Sequence, residues 1–343
     1  MITDIFARRY ENIKIVMGGR EENRVLCHQF WKMLSSGLLW DGYTTQEITT
    51  VAEAGFKEVH DCLALELGRD YLISPAGLYI TGSGFFARLC EKFIIAEPTL
   101  PFSEGPWMKE RLSLIELAFA LRGRQIAVEN EKLPAEIKLA KQKSKLPLAR
   151  GIRLPGNAAD SVRAINKVMN GAFNELTDDL NQRLRLAGYD LAYHNGLIQQ
   201  VNDQTIGHQI EKPFWALVGK SPWGNVDHQM KEAIDCRDNG DRMAAFHAVS
   251  ALESCIKIIC HTKGWSTGME KGANDFLNHL EKKTNGPYIE PWERKQLSGL
   301  FSDVRNPFAH GAGPNEMPNL TGDQTSWTIE TSMSWIKSLV SRL

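Results

Sequence analysis

The sequence has no long apolar run: no window approaches the ~18 uncharged residues that a membrane-crossing helix needs. It also shows no paired cysteines. Cys27, Cys62, Cys90, Cys236, Cys255 and Cys260 are scattered, without a Cys-x-x-Cys spacing. Buried free thiols in a reducing, cytoplasmic compartment are therefore expected. Cys255 and Cys260 fall on different faces of one expected helix, which argues against a shared metal. Charge of one sign is absent as well. Lys and Arg total 40 against 41 Asp and Glu, a formal net charge of −1, so no global field draws the chain to nucleic acid. Any such contact has to come from a local basic patch. Arg8 and Arg9 are not followed by an apolar segment, so the N-terminus does not read as a signal peptide.

What is present is ordinary globular composition. Hydrophobic residues make up 43% and charged residues 24% of 343 residues. At about 150 residues per domain, that length suggests two or three domains.

Val25, Leu26, Phe30, Met33 and Leu34 recur at helical spacing, which predicts one or two helices in residues 1–40. Thr44-Thr45-Gln46-Glu47 comes close to a capping box and predicts a helical region running to Leu67. Two β-prone runs between Arg69 and Thr81 flank Pro75-Ala76-Gly77 and predict a hairpin. An amphipathic helix from Phe85 to Ile94 completes the order of a winged-helix-like unit over residues 1–100. Its second helix carries Glu53, Glu58, Asp61 and Glu66 against Lys57 alone, which suits a phosphate-lined groove poorly. A structural or protein-contact wing is the expectation, with a DNA-reading regulator as the competing one.

Residues 101–156 read as an amphipathic helix, Trp107–Gln125, followed by a basic linker. Lys132, Lys138, Lys141, Lys143, Lys145, Arg150 and Arg153 stand there against Glu136 alone. Such a run is a solvated linker, or an RNA-contacting segment if it lies beside an active site. Residues 157–224 read as a helix to about 186 and then a β-hairpin, because Asn195-Gly196 between β-prone runs fits a type I′ turn. His194 beside that turn reads as a surface residue.

From residue 225 the pattern is entirely helical. Helices over 225–237 and 241–262 meet at Asn239-Gly240. The second has an apolar face of Phe246, Val249, Leu252, Ile256, Ile259 and Cys260, and Glu253 falls in line with it. That carboxylate either has a cationic partner or reaches solvent from the helix edge. Helices follow over 272–283, 292–305 and 325–343, and Pro307 is expected to restrain continuation of the middle one. Arg305, Asn306 and His310 thus collect at a helix end. Internal cleavage of RNA needs a base for the 2′-OH, a cation over the phosphorane and an acid for the 5′-oxygen. Histidine supplies the proton transfers and arginine a planar fork for phosphate oxygens. No metal-ligand cluster is visible, and neither metal nor cofactor is expected.

The stretch Arg305-Asn306-Pro307-Phe308-Ala309-His310 resembles the motif of the HEPN superfamily: Arg, a polar residue that is often Asn, and a short gap to His. Val304-Arg305-Asn306 and His310-Gly311-Ala312-Gly313 look like the C-terminal domain of abortive-infection proteins, as does the helix from Ala251 to Cys260. Glu110 to Phe119 is similar to a run in the AbiJ-like N-terminal region. The resemblance implies a mainly α protein with small β-hairpins and a HEPN-like helical domain over 225–343. It implies a metal-independent endoribonuclease of phage defence, a toxin-like effector acting as a homodimer or higher oligomer with two Arg–His pairs at one cleft. Arg305 would stabilise phosphate charge, His310 act as base or acid, Asn306 orient, and Glu253 hold Arg305. A HEPN-like module that only dimerises or binds a ligand is the competing reading. Pro307 and Phe308 stand where similar domains more often carry small or polar residues, which narrows the expected channel.

Overall fold

Helix starts and stops follow local chemistry. In the structure, a computed structural model, residues 5–13, 15, 19–40, 47–76, 84–96, 104–143, 158–201, 206–282, 284, 286, 288–310 and 319–343 are described. They divide into two compact units, Met1–Ile198 and Gln199–Leu343. The expected segments 1–100 and 101–156 lie in the first unit, and 225–343 lies in the second. Among the described residues the fold is mainly helical with one two-stranded sheet, in line with the mainly α class expected from the sequence.

The first unit contains α1 (Phe6–Arg9), α2 (Arg20–Ser35), α3 (Thr50–Glu66), α4 (Phe85–Ile95), α5 (Glu104–Lys143) and α6 (Ala158–Leu186). The cap of α3 is Thr49, whose side chain accepts from the Ala52 amide; the anticipated start at 44–46 lies outside the described residues. The acids that made α3 a poor DNA reader all have internal partners. The Glu53 carboxylate accepts from the Phe86 and Ala87 amides and so caps α4. Glu58 pairs with Arg124, Asp61 with Lys57, and Glu66 with Arg8. The anticipated hairpin after α3 does not begin as one. Tyr71, Leu72 and Ile73 form bends, and the Leu72 amide donates to Nε2 of His60 rather than to a strand; residues 77–81 lie outside the described residues.

Helix α5 is the axis of this unit, and two expectations about it change. It is not amphipathic where it was expected to be: every side chain from Met108 to Phe119 except Glu110 is buried, as in a helix enclosed on all sides. Most of the buried polar atoms are matched, Arg111 Nε being without a hydrogen-bond partner among the described residues. Lys109 donates to the carbonyls of Tyr10, Glu11 and Ile13 and so closes the end of α1. Arg111 lies between the rings of Phe93 and Trp107 at 4.4 and 4.2 Å. The first part of the basic run is also no linker, since residues 132–143 continue α5 through Pro134. Its pattern hides this because the contact to α6 there is polar, with Asn130 bonding Asn166 and Asn170.

The Asn195-Gly196 turn joins β1 (Leu191–His194) to β2 (Leu197–Gln200) with φ of 42° and 100°, the two positive values a type I′ turn demands. His194 ends β1 and is half-buried, not a surface residue of the turn.

The second unit contains a π-helical turn (Gly207–Glu211), α7 (Lys212–Val218), α8 (Gly224–Asp238), α9 (Ala244–Thr262), α10 (Ala273–Glu281) and α11 (Pro291–Gly299). A π-helical segment (Leu300–Arg305), α12 (Asn306–His310) and α13 (Gly322–Val340) complete it. Helix α9 is central, with α8, α13 and the Leu300–Arg305 segment packed against it. Its burial therefore extends past the expected apolar stripe to Ala248, Ser250, Ala251, Glu253 and Cys255. Pro307 does not stop the helix. A proline in a regular helix lacks the N–H and presses on the carbonyl four residues back, here that of Asp303. The wider π turns of Leu300–Arg305 span that carbonyl, and helical structure continues to His310.

Candidate functional site

Three elements of the second unit meet around Arg305. It is the last residue of the π-helical segment, and its Nη2 lies 2.9 Å from Oε2 of Glu253 on α9. Glu253 is only 6% exposed, so the cationic partner anticipated for it is present and the solvent-reaching alternative is not realised. Its other oxygen lies 3.0 Å from Nζ of Lys257, one helical turn along. The Arg305 guanidinium carbon sits 6.0 Å from the centre of the Phe246 ring, two turns before Glu253 on the same helix. Nη1 reaches Oδ1 of Asn306 at 3.5 Å, the limit of a hydrogen bond. The buried Nε has no hydrogen-bond partner among the described residues.

The chemical consequence is a guanidinium with fixed orientation. One edge is held by a buried carboxylate, Nη1 makes only a long contact to Asn306, and the side chain keeps 23% of its surface accessible. An arginine held this way can present planar donors to a phosphate without first losing rotamer entropy.

His310 closes α12, and its side chain lies outside the described residues, as does the Gly-rich stretch 311–314. Because the helix runs on, regular geometry sets the backbone positions of Arg305 and His310 about 7.5 Å apart along the axis and roughly 140° apart around it. The expectation of a helix end between them does not hold. A second imidazole lies on α9: His247 is half-buried, packs edge-on against Phe246 at 5.4 Å, and burial pushes its pKa down against the pull of Glu232 and Asp241.

Of the basic run, Lys138 and Lys141 are exposed on α5 in the first unit. The side chain of Lys143, and Lys145, Arg150 and Arg153, lie outside the described residues. Lys257 and Phe246 were not singled out from sequence. The four-residue spacing from Glu253 could have flagged Lys257, whereas Phe246 reads as plain core. Among the described residues no His, Cys, Asp or Glu cluster is arranged to hold a metal, and no helix is long and apolar enough to cross a membrane.

No curated protein and no solved structure matches the chain. A family model, AbiJ N-terminal domain 4, does match, over residues 4–216. That match covers all described elements of the first unit and well over half of the 343 residues, so the chain belongs to the AbiJ N-terminal domain 4 family, a family associated with abortive infection.

Proposed function

We propose that this protein is a metal-independent endoribonuclease of the HEPN type, the cytoplasmic toxin of an abortive-infection response, with its chemistry in residues 225–343. The observation that carries this reading is the Arg305–Glu253 pair, which holds a guanidinium at fixed orientation five residues before His310. In the proposed reaction the 2′-oxygen attacks the adjacent phosphorus and the bond to the 5′-oxygen breaks, leaving a 2′,3′-cyclic phosphate and a 5′-hydroxyl. Arg305 neutralises the phosphorane and Asn306 orients the Arg305 fork. His310 takes the 2′-proton or delivers one to the leaving oxygen. One imidazole cannot do both in a single step, so a second copy of the chain supplies the other. Lys138 and Lys141, with Lys143, Lys145, Arg150 and Arg153, are the proposed contacts to the RNA backbone.

A second reading has its own support. The strongest partner of Arg305 is internal, so the pair could serve only to brace α9 against the π-helical segment in a non-catalytic dimerisation or ligand-binding module. Purified wild-type, Arg305→Lys and His310→Ala proteins, incubated with total RNA and EDTA, separate the two. Cleavage by wild type alone, with 2′,3′-cyclic phosphate ends, supports the nuclease. Intact RNA in all three, with dimers still formed, supports the module.

A further inference from the structure

The first unit contains a cavity that the proposed chemistry does not use. It measures about 390 Å³ and lies where Ile165, Val168, Ala172 and Phe173 of α6 face Arg122 of α5 and Gly37 of the turn after α2. Its α6 wall is apolar and uncovered: Ile165 and Val168 are 71% and 70% exposed. Ile165, Val168 and Ala172 follow at three- and four-residue steps, so they form one stripe. Solitary exposed apolar residues are commonplace, whereas a stripe bordering a cavity marks a binding surface.

Arg122 makes this cavity unusual. A guanidinium withdrawn from water is ordinarily matched by a carboxylate. The buried Arg9 of the same unit follows that rule with Glu116. Arg122 is half-buried, yet among the described residues it forms no ion pair. Its hydrogen bond is from Nη1 to Oε1 of neutral Gln125 at 3.3 Å. Burial pushes its pKa down with no acid pulling the other way.

We propose that this cavity binds an amphipathic anion, a ligand whose aliphatic or aromatic body lies along Ile165, Val168 and Phe173 while its carboxylate meets Arg122. The volume favours a small molecule over a polymer, since it sits at the lower end of the ~300–1,000 Å³ usual for ligand pockets. A few convergent polar groups on an apolar floor is also how such sites fix orientation. The proposal does not depend on nuclease activity.

Calorimetry on the full-length protein with decanoate and decanol, both below their aggregation limits, tests it. Saturable decanoate binding is expected, weakened about 10- to 100-fold for decanol and for Arg122→Gln, the range of a charge-assisted hydrogen bond. Ala172→Trp fills the groove from an exposed position and is expected to abolish binding with an unchanged circular dichroism spectrum. The proposal is overturned if decanoate does not saturate, or if decanol and the Arg122→Gln protein bind as well as the natural pair. It is equally overturned if decanoate fails to bind while Ile165→Asp and Val168→Asp dissolve a dimer seen by light scattering, for then the stripe serves a second copy of the chain.

Discussion

Glu253 holds Arg305 across 2.9 Å while its second oxygen holds Lys257 at 3.0 Å, so one buried carboxylate serves two cations. Replacing it separates positioning from charge. Glu253→Gln keeps an acceptor toward Arg305, and Glu253→Ala removes it. On the proposed nuclease reading, displacing Arg305 costs on the order of 100-fold in rate, so Glu253→Ala is expected to lose about that much RNA cleavage and Glu253→Gln clearly less. Single-turnover cleavage of a defined RNA measures both. Equal loss in the two variants would contradict a positioning role.

Arg9 and Glu116 form a fully enclosed ion pair in the first unit, each side chain only 3% exposed. Two hydrogen bonds of 3.1 and 2.6 Å join them, and the Ile198 amide adds a third to the carboxylate. Removing one partner strands a buried charge, so Arg9→Ala is expected to destabilise by roughly 3–5 kcal/mol. The double replacement Arg9→Met with Glu116→Leu leaves no orphan charge and is expected to cost much less. Urea unfolding of the three proteins decides it, and a double variant as unstable as the single one would refute the argument.

Glu211 gives a pH signature to the second unit. Burial, with Asp238 and Glu330 nearby, pushes its carboxyl up to about 7 from an ordinary 4.5, against the opposing pull of Arg237. Above 4.5 the unfolded chain ionises this group while the folded chain still holds the proton. Stability from this group therefore falls as pH rises from 4.5 to 7 and stays reduced above, by ~3 kcal/mol at most. Glu211→Gln is expected to match wild type near pH 4.5 and to exceed it at pH 8. Thermal melts at both pH values report the difference, and no gain at pH 8 would contradict it.

Gly196 has φ of 100° in the hairpin turn, where a Cβ would meet only Ala120 Cβ at 3.8 Å. Space is available but the backbone conformation is not. Gly196→Ala is expected to cost about 1–3 kcal/mol through strain alone, read as a lower melting temperature with an unchanged far-ultraviolet spectrum.

Local signals were legible in the sequence. Asn195-Gly196 specified its turn, because only residues tolerant of positive φ fit there. The helical stretches expected over 157–186, 225–237, 241–262 and 325–343 correspond to α6, α8, α9 and α13, and Glu253 on an apolar face raised the question of a cationic partner that the structure answers. Position in the tertiary structure stayed hidden where neighbours override pattern. The first half of α5 is enclosed on all sides, and Lys109, Arg111 and Glu116 resemble solvent contacts until their partners Tyr10, Phe93 and Arg9 are seen. Its second half is helical although its charge run reads as a linker. The passage through Pro307 depends on π turns that no residue pattern encodes, and it changed the relation of Arg305 to His310.

The sequence by itself therefore determined the helical class and the Asn195-Gly196 hairpin and put forward Arg305, Asn306 and His310 as candidates, since turn chemistry and spacing act between near neighbours. Only the tertiary structure decided between Arg305 and solvent for Glu253, brought Arg9 to Glu116 and left Arg122 without an acid among the described residues. Each is a matter of which distant side chains share a desolvated space, and burial is set by the whole unit rather than by any segment of it.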